Sequence, residues 1–185
     1  MGEGHYGGRM AATSLPDRFV TDASLAHVAR RLRMLGFDID VHRGARLEEL
    51  LELARADGRI VLTRSPRRPK RFADVHAVTL PGELAAAVRT IIAAFTPASA
   101  PLRRCPTCNT PLQSRSAFEA RGEVPGRVTR TGGPLTFCPS CGRWFWIGSH
   151  VAGLRNWTRQ ELNRQLDAPV RTMPPEPAGD PPSSG

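Results

Sequence analysis

Lysine is almost absent from this chain: Lys70 stands alone among 185 residues, and the rest of the 26 basic side chains are arginine. The net charge of +9 is spread over both halves, with 15 basic to 11 acidic residues before Leu102 and 11 to 6 from there on. Such a balance suits a polyanion such as RNA, and a solubilising surface accounts for it equally well. Long apolar runs are missing too. Nothing approaches the roughly 18 residues a bilayer-crossing helix needs, which excludes a membrane span. The glycine-rich opening, 1–17, lacks the apolar core of a signal peptide and reads as a disordered N-terminus. The expected setting is the cytoplasm, where thiols stay reduced.

Cysteine is confined to four positions, Cys105-Pro-Thr-Cys108 and Cys138-Pro-Ser-Cys141, with 29 residues between the pairs. A two-residue gap lets both thiolates of one knuckle reach a single ion at about 2.3 Å, and two knuckles complete the tetrahedron that Zn²⁺ prefers. Redox chemistry needs only one such pair, and a disulfide scaffold needs export. Cys105, Cys108, Cys138 and Cys141 therefore read as a structural zinc site. Four sulfur ligands leave no position for an activated water, so catalysis must lie elsewhere.

Upstream, strands and helices alternate. A strand at 18–21 ends at Asp22; Leu25, Val28, Ala29, Leu32 and Leu35 then recur at helical spacing until Gly36. Phe37, Ile39 and Val41 alternate with Asp38 and Asp40, the period of a half-buried strand. A second helix at 47–56 stops at Gly58, strands follow at 59–63 and 75–80, and a third helix spans 83–95. This order predicts an α/β domain over 18–96 with a parallel sheet flanked by helices. A linker at 97–101 leads to a zinc ribbon plus C-terminal helix at 102–166, and the proline-rich 167–185 reads as a disordered tail. Glycines and prolines between the knuckles predict turns joining short strands. Some of the rings of Trp144, Phe145 and Trp146 are expected to pack the ribbon against the α/β domain, base stacking being their other reading.

Ligands of open α/β sheets collect beyond the C-terminal strand ends, where Asp22 stands. A carboxylate there suits a hard divalent cation, and it equally suits the cap of the helix that follows. Glu48 and Glu49 have the same two readings, as ligands or as acids placed favourably in a first helical turn. Of the histidines, His27 reads as a surface residue, while His42 follows a strand and approaches the end of the sheet that carries Asp22.

The order Phe-Val-Thr-Asp22-Ala-x-Leu, Leu32-Arg-Met-Leu-Gly-Phe-Asp38, Leu50-Leu-Glu-Leu-Ala, Gly58-Arg-Ile-Val-Leu-Thr-Arg64, then the two cysteine knuckles and Trp146-Ile-Gly-Ser-His150, resembles the Mut-seven C-terminal RNase domain family. The resemblance implies a PIN-like nuclease fold followed by a zinc ribbon. It also implies acidic side chains that hold Mg²⁺ or Mn²⁺ to cut single-stranded RNA. Carried over by position, the catalytic acids are Asp22 and Glu48 or Glu49, with Asp38 added if its strand register turns it toward Asp22. Two departures stand out. Gly44 and Arg46 replace acids common in the family, and Ser65 stands where an aspartate usually follows Leu-Thr-Arg.

Around Ser65, the cations Arg64, Arg67, Arg68, Lys70 and Arg71 fall within eight residues. They are the candidate RNA-binding residues, gripping phosphates without reading sequence. The leading expectation is a metal-dependent ribonuclease with an incomplete acidic site. The alternatives are a degenerate module that binds RNA or a ribonucleoprotein, and an adaptor whose ribbon contacts another protein.

Overall fold

Phe19 and Val20 are neighbours in the first strand, their side chains point to opposite faces, and both are fully buried. A strand buried on both sides needs a covered sheet, and the computed structural model supplies one. It describes residues 17–44, 46–130 and 133–162. Apart from Asp17, the expected disordered ends lie outside the described residues, as does the last turn of the expected C-terminal helix.

Four strands, β1 (Arg18–Asp22), β2 (Asp38–His42), β3 (Ile60–Thr63) and β4 (Ala77–Thr79), form a parallel sheet in the order β2-β1-β3-β4. A single 3₁₀ turn, Ala23–Leu25, leads from β1 into helix α1 (Ala26–Met34); α2 (Leu47–Asp57) joins β2 to β3, and α3 (Leu84–Ala94) follows β4. The chain leaves β1 to one side and returns to the other, which puts α1 and α2 on opposite faces. On the first face Phe19, Leu32, Ile39 and Leu62 pack with Val88 and Ile91 of α3. On the second, Val20 and Val61 pack with Leu50, Leu51 and Phe72. The order reverses between β1 and β3, so that crevice is the topological switch point.

The strands and helices of the α/β domain lie within a few residues of the expected ones, and caps set the ends of two helices. Glu83 is not the first helical residue but the N-cap of α3, accepting from the amides of Ala85 and Ala86 at 2.7 and 2.6 Å. Gly58 closes α2 in the left-handed region, φ +62°, as the glycine after a helix commonly does. Among the described residues no helix is long and apolar enough to cross a membrane.

The ribbon sheet is antiparallel, β5 (Gln113–Arg115), β6 (Leu135–Phe137) and β7 (Trp144–Trp146), in that order. Between the knuckles the chain does more than turn: it forms a short helix, α4 (Gly126–Arg130), whose buried Val128 meets Ala120, Val124 and Leu135. Trp144 packs on this group and not on the α/β domain. The expectation for that ring is corrected, because the ribbon owns a small core. Attachment falls instead to helix α5 (Ser149–Leu162), which lays Trp157 and Leu162 on the first core face. Arg31 stands 4.9 Å above the Trp157 ring.

The 97–101 segment is seated on the end of α1. Ser99 donates from both its amide and its hydroxyl to the Gly36 carbonyl, at 3.0 and 3.1 Å. Gly36 has φ +97°, and a Cβ there would sit 1.9 Å from the Ser99 carbonyl oxygen. Gly58 has open space around it. Gly36→Ala is therefore expected to cost at least about 2 kcal/mol and Gly58→Ala nearer 1. Denaturant unfolding of both variants checks this; equal losses would contradict the seat.

Candidate functional site

At the C-terminal edge, register aligns Asp22 with His42 on one side, while β3 delivers Thr63 and then Ser65 on the other. Period-two alternation puts Asp22, His42 and Thr63 on the face that α2 covers, the same face as buried Val20 and Val61. Helix α2 starts there, so its first turn brings Glu48 and Glu49 to the edge. Asp22 Oδ1 accepts from the Ser24 amide at 2.7 Å and caps the turn that opens α1. Glu49 Oε2 lies 3.6 Å from His42 Nε2. Gly44 covers this pair so closely that a Cβ would fall 2.2 Å from His42 Nε2 and 2.6 Å from Glu49 Oε2. Glu48 holds Arg71 at 2.7 Å.

The basic loop after β3 divides by partner. Arg68 donates to the Val75 carbonyl and fastens the loop back on itself. Arg71 joins Glu48 and lies 5.1 Å from the Phe72 ring centre. Arg64 stands 3.5 Å from His27, which is exposed. Among the described residues, the side chains of Arg67 and Lys70 have no partner, and both are exposed. Ser65 is tied into the loop, donating from its amide to Thr63 Oγ1 at 3.0 Å and accepting from the Arg67 amide at 3.3 Å. A cleft of about 90 Å³ opens here between Leu47, Leu51, Thr63, Ser65, Arg67 and Thr79.

Asp38 does not join this group. It pairs with Arg18, at the start of both strands, four residues before the Asp22 level; at about 3.3 Å per residue that is some 13 Å away. There it accepts from Arg59 at 2.9 Å, Asn109 at 2.8 Å and Arg104 at 3.1 Å. Asp40 takes the other nitrogen of Arg59 at 2.7 Å and also accepts from Asn109, at 2.9 Å. The Arg59 side chain is only 7% exposed and that of Asp38 14%.

This network joins strand β2 to the first cysteine knuckle. As an edge strand β2 has outward backbone groups to satisfy, and the knuckle and α1 share them: the Ile39 amide donates to Asn109 Oδ1 at 3.2 Å, and its carbonyl accepts from Arg33 of α1 at 2.7 Å. Arg33 also donates to the Pro106 and Thr107 carbonyls. Burial works against ionisation of Asp38, but hydrogen bonds from Arg59 and Asn109 and the charges of Arg104 and Arg59 outweigh it and hold its pKa below the usual carboxylate range.

Sequence reasoning missed Asn109, although a signal was present. Each knuckle turns through a left-handed residue directly after its second cysteine, Gly142 with φ +68° and Asn109 with φ +70°. Asparagine tolerates that region, and its amide bonds two aspartates and a backbone amide that glycine could not. Cys-Asn in one knuckle against Cys-Gly in the other was the visible clue.

The four sulfurs lie within 4.8 Å of one another. The pairs Cys105–Cys141 and Cys108–Cys138 are 3.7 and 3.4 Å apart, and tetrahedral zinc with bonds of about 2.3 Å needs roughly 3.8 Å. The four cysteines fit a structural zinc. Burial pushes the Cys105 thiol up to about 12. Burial also opposes ionisation of Cys108, yet hydrogen bonds from Thr110 and the neighbouring cysteines draw it down to about 6. Among the described residues no other group of three or more ligand-bearing side chains converges in this way, the edge acids included.

The Mut7-C RNAse domain family matches the chain over residues 17–158. No curated protein and no solved structure matches it significantly.

Asn109→Gly keeps the knuckle turn but removes the clamp, and it is expected to cost about 2–4 kcal/mol while zinc stoichiometry stays unchanged. Denaturant unfolding alongside metal analysis checks this; zinc loss without destabilisation would contradict it. A depressed carboxylate pKa contributes stability above its unfolded value, about 4, that disappears as pH falls through the folded pKa. Asp38→Asn should therefore flatten the acid side of the stability profile.

Proposed function

The chain belongs to the Mut7-C RNAse domain family, and from that premise we propose that it is a ribonuclease taking single-stranded RNA along the C-terminal edge of its parallel sheet. The observation that carries this reading is the adjacency, at the switch point, of the end of β1, which carries Asp22, and the loop after β3, on which, among the described residues, the side chains of Arg67 and Lys70 have no partner. Those two side chains meet backbone phosphates, which attract them without regard to sequence. Arg64 adds charge nearby, while Arg68 and Arg71 hold the loop in shape. The hydroxyls of Ser65 and Thr79 line the cleft beside them. A cytoplasmic setting fits the reading, since it keeps the cysteines reduced for zinc.

The resemblance implies Mg²⁺ or Mn²⁺, and the carboxylates of Asp22, Glu48 and Glu49 have the oxygen chemistry that hard cations take. Their resting arrangement is open. The Glu48–Arg71 pair and the Glu49–His42 contact are partly exposed, and such pairs are worth about 1 kcal/mol or less, so both glutamates can turn without large cost. When bound, the ion supplies an activated water and charge to steady the phosphate. Asp22 is fixed by the end of β1 and the Ser24 amide, which makes it the best-positioned of the three acids.

One observation favours a second reading, binding without cleavage. Ser65 brings a neutral hydroxyl to the end of β3, already engaged in the loop, where a family acid is usual.

Purified protein with Mn²⁺ is expected to cleave unstructured RNA, and Asp22→Asn to lower the rate at least about a hundredfold, as loss of a metal-holding acid does. Full activity in that variant would contradict the assignment. Replacing Arg67 and Lys70 with alanine should weaken binding and reduce the salt slope by roughly 1.4, two contacts at about 0.7 each for single strands. Salt-steep binding with no cleavage in either metal would establish the second reading.

A further inference from the structure

The ribbon carries a surface that the edge of the parallel sheet does not account for. Between Leu102 and Gly148 there are seven arginines and two glutamates. Phe118, in the turn after β5, is 74% exposed, and the guanidinium of Arg121 lies 5.2 Å from its ring centre. On the adjoining sheet Arg115 stands 5.9 Å from the ring centre of Phe137 and aligns across the strands with Leu135 and then Trp146. Trp146 is exposed at the end of that row, its indole braced by Gly148, where a Cβ would come 3.1 Å from Nε1. Arg115 is held by Glu119 at 3.1 Å. Arg121, Arg127 and Arg130 are exposed and, among the described residues, have no acidic partner.

We propose that this face of the ribbon is a stacking platform for single-stranded RNA. Unpaired bases would lie on Phe118 and Trp146, and their phosphates on Arg121, Arg127 and Arg130. The inference rests on the RNA reading of the α/β edge and adds a second region of the same strand's path. Every base has a π-face, so exposed rings take any sequence, and a duplex hides those faces. Arginine beside the rings contributes both stacking and charge. A protein-docking centre would instead be depleted of charge, whereas here Arg121 lies against an exposed ring and, among the described residues, no acid faces Arg121, Arg127 or Arg130.

The test is titration of the full-length, zinc-loaded protein with an oligouridine of about 20 nucleotides, longer than one site, without added Mg²⁺ or Mn²⁺ so that cleavage does not intervene. Binding should quench tryptophan fluorescence, and Trp146→Phe should remove most of the quench. Phe118→Ala, at an exposed position that leaves the fold intact, should weaken binding about tenfold, as loss of one stacked base does. A duplex of equal length should neither quench nor respond to Phe118→Ala. If Phe118→Ala and Trp146→Phe leave affinity and quench unchanged while alanines at Arg67 and Lys70 weaken binding, the platform is wrong and the edge reading stands. If the wild-type chain binds no RNA, the edge reading fails as well. Duplex binding as tight as single-strand binding would also overturn the platform.

Discussion

Asn109 is the residue on which the rest of the arrangement hangs. Its backbone completes the first cysteine knuckle in a conformation open to few residues, and its side chain reaches Ile39, Asp38 and Asp40 on strand β2. Arg59, the residue before β3, binds the same two carboxylates and also donates to the Phe19 carbonyl in β1. Three strands and a cysteine knuckle are thus tied through one network, buried at Arg59 and Asp38 and open to water at Asp40. Removing one member of such a network leaves a buried charge unpaired, which costs about 3–5 kcal/mol, far more than the net gain of forming the pair. The clamp matters chiefly because it fixes where β2 lies, and the position of β2 fixes what stands beside Asp22.

The parallel sheet accordingly has two unlike ends. At the start of its strands, acids and arginines neutralise one another and the edge is closed by the ribbon. Beyond the strand ends, Asp22 caps a turn, the glutamates rest in exposed pairs, and among the described residues the side chains of Arg67 and Lys70 have no partner. A polyanion is drawn to uncompensated positive charge, which is why the proposed RNA path runs along the second end. The four cysteines of the knuckles that close the first end fit a structural zinc, and four sulfur ligands would leave such an ion no part in hydrolysis.

Much of this was legible in the residue pattern. The apolar periodicities of 18–35 and 47–56, with their glycine stops, translate directly into β1, α1 and α2 because local geometry decides them. The cysteine spacing is chemistry as much as sequence. The fate of Asp38 was not legible, since its partners Arg104 and Asn109 lie far along the chain and strand alternation alone does not say which end of a sheet a residue occupies. Nor was the role of Trp144: whether an aromatic packs within the ribbon or outward depends on α4, whose glycine-flanked sequence carries no helical signature. Arg68 and Arg71 looked like phosphate ligands within a run of cations, and only the loop's closure on Val75 and Glu48 separates them from Arg67 and Lys70.

One end of the sheet is a closed structural clamp, and under the proposed function the other is an open edge that takes RNA. Backbone amide shifts recorded by NMR during titration with single-stranded RNA test it most directly. The amides of Asp22, Ser65, Arg67 and Lys70 are expected to move while those of Ile39, Asp40 and Asn109 stay still. Shifts concentrated at Ile39, Asp40 and Asn109, with the loop after β3 silent, would contradict it.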